Sequence, residues 1–102
     1  MVYRIAQIYD LQSNEEMAVI RYRDFLRLTR DSENSDAYFT RQRAKALFRT
    51  GEISRAYKLL EKAIEQFPNE VEIANDYAEL LITQKEYDKA LEVLNRIEKN
   101  NP

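Results

Sequence analysis

Residues 51–68, GEISRAYKLLEKAIEQFP, open on the chain's single glycine, Gly51, and close on one of its two prolines, Pro68. Residues 85–102, KEYDKALEVLNRIEKNNP, show the same pattern thirty-four residues later and end on the other proline, Pro102. Each stretch spaces its apolar residues as one face of a helix, and its proline cannot continue that helix. The recurrence indicates a repeating architecture rather than one isolated helix.

The same residue classes recur over most of the chain when it is shifted along itself. A shift of 34 residues aligns Ala44 with Ala78, Leu47 with Leu81, Ala56 with Ala90, Leu60 with Leu94, Ala63 with Ile97 and Pro68 with Pro102. A weaker first copy lies 38 residues before the second and consists of Ala6, Tyr9, Ala18, Tyr22 and Phe25. The sequence therefore predicts three repeats, at about 1–34, 35–68 and 69–102, in one domain spanning residues 1–102.

Each repeat is predicted to contain two helices, which makes the protein all-α. The six predicted helices cover residues 2–11, 14–29, 37–49, 53–66, 70–83 and 87–99. Good helix formers dominate the composition, and a single glycine and two prolines leave few residues for tight β-hairpins. We expect three antiparallel helix pairs.

Short polar residues give candidate helix starts. Ser13 with Glu16, and Asn69 with Glu72, have the spacing of a capping box. Ser35 or Asp36 is expected to cap the third helix.

The turns within the pairs are predicted from the position of the glycine. Gly51 suits the left-handed residue that ends a helix. Lys85 stands at the equivalent place in the third repeat and Ser13 in the first, where we expect the neighbouring Asn14 to supply the turn.

The composition argues against several classes of function. The chain has neither cysteine nor histidine, which removes a cysteine nucleophile, the commonest general base and the commonest metal ligand together. We therefore expect no enzyme, no metal and no cofactor. No apolar run approaches the roughly 18 residues of a membrane span, and the N-terminus lacks the apolar core of a signal peptide. A soluble protein without membrane insertion is expected, with the cytoplasm as the default compartment.

The spacing of small, large, Ala, large, Ala and Pro residues over 34 positions resembles the tetratricopeptide repeat, across essentially the whole chain. The resemblance implies a right-handed superhelix, an α-solenoid, in which the first helix of each pair lines a concave groove. It also implies a protein-interaction scaffold that binds a partner peptide or helix there.

The groove positions implied by the resemblance differ in charge along the chain. Residues 1–51 carry nine basic and seven acidic groups, whereas residues 52–102 carry seven basic and eleven acidic ones. We expect a partner segment that is acidic toward the first two repeats and basic toward the third. The groove candidates are Tyr3, Arg4 and Gln7, then Tyr38, Arg41, Gln42, Lys45, Phe48 and Arg49, then Glu72, Asn75, Asp76, Glu79 and Thr83.

Other patterns carry less functional information. The basic stripe of Arg23, Arg27 and Arg30 could touch an acidic partner, but an acidic chain without a nucleic-acid motif argues against nucleic-acid binding. Carboxylates paired along charged helices indicate solvated faces rather than catalysis. Core packing is the preferred interpretation of five tyrosines, namely Tyr9, Tyr22, Tyr57, Tyr77 and Tyr87.

The last predicted helix suggests an alternative function. Such arrays usually finish with an extra helix, and this chain stops at a repeat boundary, which favours a part of a longer repeat protein or assembly. Alternatively, the third pair could dock onto a partner or mediate self-association into a homo-oligomer. The candidate docking residues are Leu91, Leu94 and Ile97.

Overall fold

The computed structural model describes residues 1–33 and 36–100 and confirms the all-α prediction. Its elements are α1 (Val2–Leu11), α2 (Glu15–Leu28), α3 (Ala37–Arg49), α4 (Ile53–Gln66), α5 (Val71–Thr83) and α6 (Tyr87–Asn100). The six helices form three consecutive pairs, and no strand occurs within the described ranges. Every predicted helix boundary lies within one residue of the observed one.

The chain divides into two compact units, one covering residues 1–56 and the other the remainder from Tyr57. In the first unit α1 packs on α2, and α2 packs on α3. Three aromatic rings fill the centre, with centroids 5.8 Å apart for Tyr3 and Tyr22 and 5.2 Å for Tyr3 and Phe25. Ala6 and Ala18 are fully buried beside them, which allows the helices to approach closely.

The second unit packs α5 against α6. Its most deeply buried large side chains are Ile73 and Leu81, and Ala78 and Ala90 are buried with them. Helix α4 ends at Gln66, two residues before Pro68, as the proline predicts. Pro102 lies outside the described ranges.

The same backbone turn follows the first helix of all three pairs. The amides of Asn14, Glu52 and Glu86 donate to carbonyls five residues earlier, at Tyr9, Leu47 and Leu81 respectively. These three acceptors are the residues that the repeat alignment places at one position. A left-handed residue precedes each donor, as in the Schellman motif that ends many helices.

The left-handed residues are Ser13 (φ 58°), Gly51 (φ 84°) and Lys85 (φ 62°). The prediction for Gly51 is confirmed, but the assignment of the first turn to Asn14 is wrong, because Ser13 itself takes the left-handed conformation. Two turns therefore use residues with a Cβ where glycine would be less strained.

Helix capping agrees with the sequence at one start and differs at two. Asp36 caps α3 by accepting from the amide of Phe39 at 2.7 Å, while the other candidate, Ser35, lies outside the described ranges. At α2 the cap is Asn14, which accepts from Met17, so the predicted Ser13 capping box is wrong. The box at Asn69 is also wrong, because Glu70 is the N-cap and makes no side-chain cap bond.

Candidate functional site

The first candidate surface is the exposed side of α3, which we call the α3 face and define by Tyr38, Arg41, Gln42, Lys45 and Phe48. Tyr38 is 65% exposed, and Lys45 is also exposed. Arg41, Gln42 and Phe48 are half-buried. Ala44 and Leu47 are buried on the opposite side and anchor the helix in the core. The α3 face thus combines two aromatic rings, of which that of Tyr38 is largely exposed, with two positive charges.

Arg49 was also a groove candidate, but its guanidinium is committed within the first unit. Its Nη2 donates to Asp10 at 2.5 Å and its Nε donates to the same carboxylate at 3.3 Å. The Tyr22 hydroxyl donates to Asp10 as well, at 2.7 Å. This network joins α1, α2 and α3, so Arg49 helps to hold the helices that carry the α3 face.

The Asp10 network changes the ionisation of its members. Burial pushes the pKa of Asp10 upward, but hydrogen bonds from Arg49 and Tyr22 outweigh it and leave that pKa below its usual value. Burial and the hydrogen bond to Asp10 raise the pKa of Tyr22. Asp10 is therefore charged and Tyr22 neutral at physiological pH.

The first-repeat candidates are placed differently from one another. Tyr3 is only 8% exposed and packs against Tyr22 and Phe25, so it belongs to the core and not to an accessible groove. Its aromatic character and helical spacing gave no signal that could separate these two roles. Gln7 is half-buried, and Arg4 is exposed.

The second candidate surface is the exposed side of α5, which we call the α5 face. Glu72, Asn75, Glu79 and Thr83 are exposed, and Asp76 is half-buried. Tyr77, Ala78 and Leu81 are buried on the other side of the helix. Three carboxylates without a basic residue make the α5 face acidic.

A lysine and two tyrosines form a cluster in the second unit that the sequence did not reveal. Lys89 donates a hydrogen bond to the Tyr57 hydroxyl, and its ammonium lies 4.9 Å from the centroid of the Tyr57 ring. The rings of Tyr57 and Tyr77 meet edge to face at 5.5 Å. Hydrogen bonding to Tyr57 raises the pKa of Lys89, which keeps its amine protonated and non-nucleophilic.

The five tyrosines assigned to the core differ in burial. Tyr22 and Tyr77 are buried and Tyr9 and Tyr57 are half-buried. The prediction is wrong for Tyr87, which is largely exposed at the start of α6, where solvent surrounds the first turn.

The predicted C-terminal docking residues also differ from one another. Leu91 is exposed, whereas Leu94 and Ile97 are half-buried. Ile97 lines a small cleft of about 50 Å³, which we call the α4–α6 cleft. Its other lining residues are Ile64, Glu65, Phe67, Pro68, Glu70, Ala74, Val93 and Arg96. The cleft could have been suspected from Ile64, an apolar residue at the repeat position that carries Glu98 in the third copy.

The described ranges lack the features of two other kinds of site. They contain no group of three or more Asp, Glu, His or Cys side chains placed to hold a metal ion. None of the helices described has both the length and the apolar character needed to cross a membrane.

Comparison with known proteins identifies the class to which these helix pairs belong. Residues 47–102, more than half of the chain, match the tetratricopeptide repeat family. The chain belongs to this family. Repeats of this family generally mediate protein–protein interactions, and they act as binding scaffolds rather than as catalysts.

Two curated proteins are similar to the chain. A TPR repeat-containing protein, YpiA of Bacillus subtilis (strain 168), is 39% identical over 59 residues, which cover 58% of this chain and 14% of that protein. General transcription factor 3C polypeptide 3 of Homo sapiens is 29% identical over 92 residues, which cover 87% of this chain and 10% of that protein. The chain thus spans a small part of the length of both relatives.

Proposed function

We propose that this chain is a protein-interaction module that binds an extended segment of a partner protein along the α3 face and the α5 face. The main support for this proposal is that α3 and α5, the first helices of the second and third pairs, bury one side and expose charged and aromatic side chains on the other. The charge of the two faces is opposite. Tetratricopeptide repeats bind partners through first helices, which supports this assignment.

Charge complementarity defines the segment that each face would bind. Arg41 and Lys45 favour acidic residues next to the α3 face, and the Tyr38 ring provides an apolar anchor. Glu72 and Glu79 favour lysine or arginine next to the α5 face. The proposed partner segment therefore carries an acidic part with an apolar residue and a separate basic part.

A larger assembly is the setting that the human relative suggests. General transcription factor 3C polypeptide 3 is named as a polypeptide of a transcription factor, which supports a role for the present chain in holding subunits together. We propose such a scaffold role within a longer repeat protein or complex. The compartment proposed is the cytoplasm.

A binding assay with matched variants tests the proposed surfaces. Fluorescein-labelled peptides with acidic, apolar and basic residues in this order are titrated with the chain, and anisotropy gives the dissociation constant. The variant Tyr38→Ala/Lys45→Glu should weaken binding at least about tenfold, because it removes an anchor and reverses a charge. The control Lys58→Glu/Lys62→Glu reverses two exposed charges on α4 and should have little effect.

Peptides that are acidic throughout and peptides that are basic throughout provide the second arm of this assay. Each should bind more weakly than the mixed-charge peptide, because each places like charges against one of the two faces. Equal affinity for the mixed and uniform peptides, or equal loss in the α4 control variant, would contradict the proposed use of the two faces.

A further inference from the structure

Two apolar surfaces remain outside the proposed peptide site, and each has a charged side chain beside it. The first is the exposed side of α1, which we call the α1 stripe and define by Ile5, Ile8 and Leu11. Ile8 is 53% exposed and Leu11 is 86% exposed. The spacing of three residues aligns them along one side of the helix, away from buried Tyr3 and Ala6. Scattered single apolar residues are normal on surfaces, but a continuous stripe indicates contact with another molecule.

The charge beside the α1 stripe is Arg4. It precedes Ile8 by four residues and therefore lies one turn away on the same side of α1. Its side chain is exposed and forms no ion pair with any carboxylate in the described part of the chain. The stripe thus presents an aliphatic side chain with a free guanidinium one turn from it.

The second surface is the α4–α6 cleft. Six of its lining residues are apolar, and its volume of about 50 Å³ is well below the roughly 150 Å³ of a protein cavity that holds benzene. The cleft therefore suits the end of one aliphatic side chain rather than an aromatic ring.

The charge beside the α4–α6 cleft is Glu70. Glu65, on the same rim, already pairs with Arg96 at 3.7 Å. Glu70 is the N-cap of α5, yet its carboxylate caps no amide and forms no ion pair within residues 1–33 and 36–100. The cleft thus combines an aliphatic socket with a free carboxylate, which complements the α1 stripe in both shape and charge.

We infer that the α4–α6 cleft binds the α1 stripe of a second copy of this chain, with Ile8 in the cleft and Arg4 paired to Glu70. The two surfaces are different, so the contact is head to tail, and each pair of copies keeps one free stripe and one free cleft. Head-to-tail contacts of this kind build chains or rings of copies. It is independent of partner binding, because it uses neither the α3 face nor the α5 face.

The contact is expected to be weak. One aliphatic side chain and one exposed ion pair form an interface well below the roughly 1,200 Å² of stable complexes. A dissociation constant between about 10 µM and 1 mM is expected, which requires a high local concentration of copies.

Sedimentation velocity of the chain alone over that concentration range tests the inference. The weight-average sedimentation coefficient should rise with concentration for the natural sequence. Ile8→Glu should weaken association more than about tenfold, because it places a charge in the apolar cleft. The control Ile20→Glu, at an exposed apolar position on α2, should leave association unchanged.

A charge swap makes the test specific for the proposed pair. Arg4→Glu and Glu70→Lys should each weaken association about five- to tenfold, because attraction is replaced by repulsion. The variant with both changes restores an opposite-charge pair at every contact and should recover to within about threefold of the natural sequence. Arg23→Glu and Glu92→Lys reverse exposed charges elsewhere and serve as controls for net charge.

Three results would overturn the inference. They are a natural sequence that stays monomeric at all concentrations, an effect of Ile20→Glu equal to that of Ile8→Glu, and a doubly swapped variant that stays weak. Helical circular dichroism of each variant confirms that it is folded, since all the changed side chains are at least partly exposed. Peptide binding is also measured on Ile8→Glu, and self-association on Tyr38→Ala/Lys45→Glu. Each variant should lose only the interaction whose surface it changes, so failure of this inference is distinguished from failure of the proposed partner site.

Discussion

Replacing Asp10 by asparagine should destabilise the first unit more than any other single loss of charge in that unit. Asp10 accepts hydrogen bonds from Tyr22 and twice from Arg49, at distances between 2.5 and 3.3 Å. The side chains of Arg49 and Asp10 are 29% and 19% exposed. Asparagine is similar in shape but removes the negative charge and places an amide group in its position.

The size of the effect follows from the partial burial of this pair. Exposed ion pairs contribute about 0.2–1 kcal/mol, whereas removing one partner of a buried pair costs about 3–5 kcal/mol. The Asp10 pair lies between these limits and retains one acceptor in the variant. We expect Asp10→Asn to lower the free energy of unfolding by about 2 kcal/mol.

The assay is urea denaturation followed by circular dichroism, with Asp24→Asn as the matched control. Asp24 pairs with Arg27 at 3.2 Å and with Arg21 at 3.7 Å, and these arginine side chains are 68% and 38% exposed. Its replacement should cost less than about 0.5 kcal/mol. Equal losses at the two positions would refute the reasoning that burial makes the Asp10 network strong.

The pH dependence of the stability difference between the natural sequence and Asp10→Asn gives an independent test. The folded-state pKa of Asp10 is lowered, so its contribution is fully present above the unfolded-state value near 4 and is lost as the pH falls through the folded-state pKa. The stability difference between the natural sequence and Asp10→Asn should be constant from pH 7 to about pH 5. Below pH 4 it should shrink, and a difference that is unchanged at pH 2 would contradict the assigned role.

Further predictions concern buried hydroxyls and turns. Tyr22→Phe should lower the free energy of unfolding by about 1–2 kcal/mol in urea denaturation, because the Tyr22 hydroxyl donates to Asp10. Tyr77→Phe should be neutral or should raise it by up to about 1 kcal/mol, because the buried Tyr77 hydroxyl has no hydrogen-bond partner in the described ranges. Burial raises the pKa of Tyr77 to about 12, so the free energy of unfolding of the natural sequence should fall as the pH rises from 10 toward 12. The free energy of unfolding of Tyr77→Phe should fall less steeply over that interval. Gly51→Ala should lower the free energy of unfolding by about 1 kcal/mol, and Lys85→Gly should raise it by about 0.5 kcal/mol, because both positions are left-handed. The thermal midpoint should shift in the same directions, and opposite signs would exclude backbone strain as the cause.

The helices and their pairing could be predicted from the sequence because the repeat fixed the register. The pair Ala44 and Leu47 recurs 34 residues later as Ala78 and Leu81. This recurrence indicates a repeated helical hairpin rather than a single isolated helix. Gly51 marked the turn correctly. The left-handed conformation of Ser13 could not be predicted, because a residue with a Cβ rarely adopts it. It accompanies the hydrogen bond from the Asn14 amide to the Tyr9 carbonyl, which is seen only in the structure.

The candidate site could be predicted only in part. Charge and helical spacing identified Tyr38, Lys45 and Glu79 as side chains on the exposed sides of their helices. The same spacing could not separate Tyr3, which is in the core, from a groove residue. Nor could it show that Arg49 is held by Asp10, because the two residues are 39 positions apart and belong to different repeats. Long-range pairing of this kind leaves no local pattern in one sequence.

Site-specific photo-crosslinking tests the proposed partner site most directly. A photoreactive phenylalanine analogue is placed at position 38 on the α3 face, at position 79 on the α5 face and at position 58 on α4, and the chain is incubated in extract of the source cell. The proposal predicts that positions 38 and 79 crosslink to the same partner protein, through an acidic and a basic part of its sequence respectively. Crosslinks from position 58 to that partner, with none from positions 38 and 79, would contradict it.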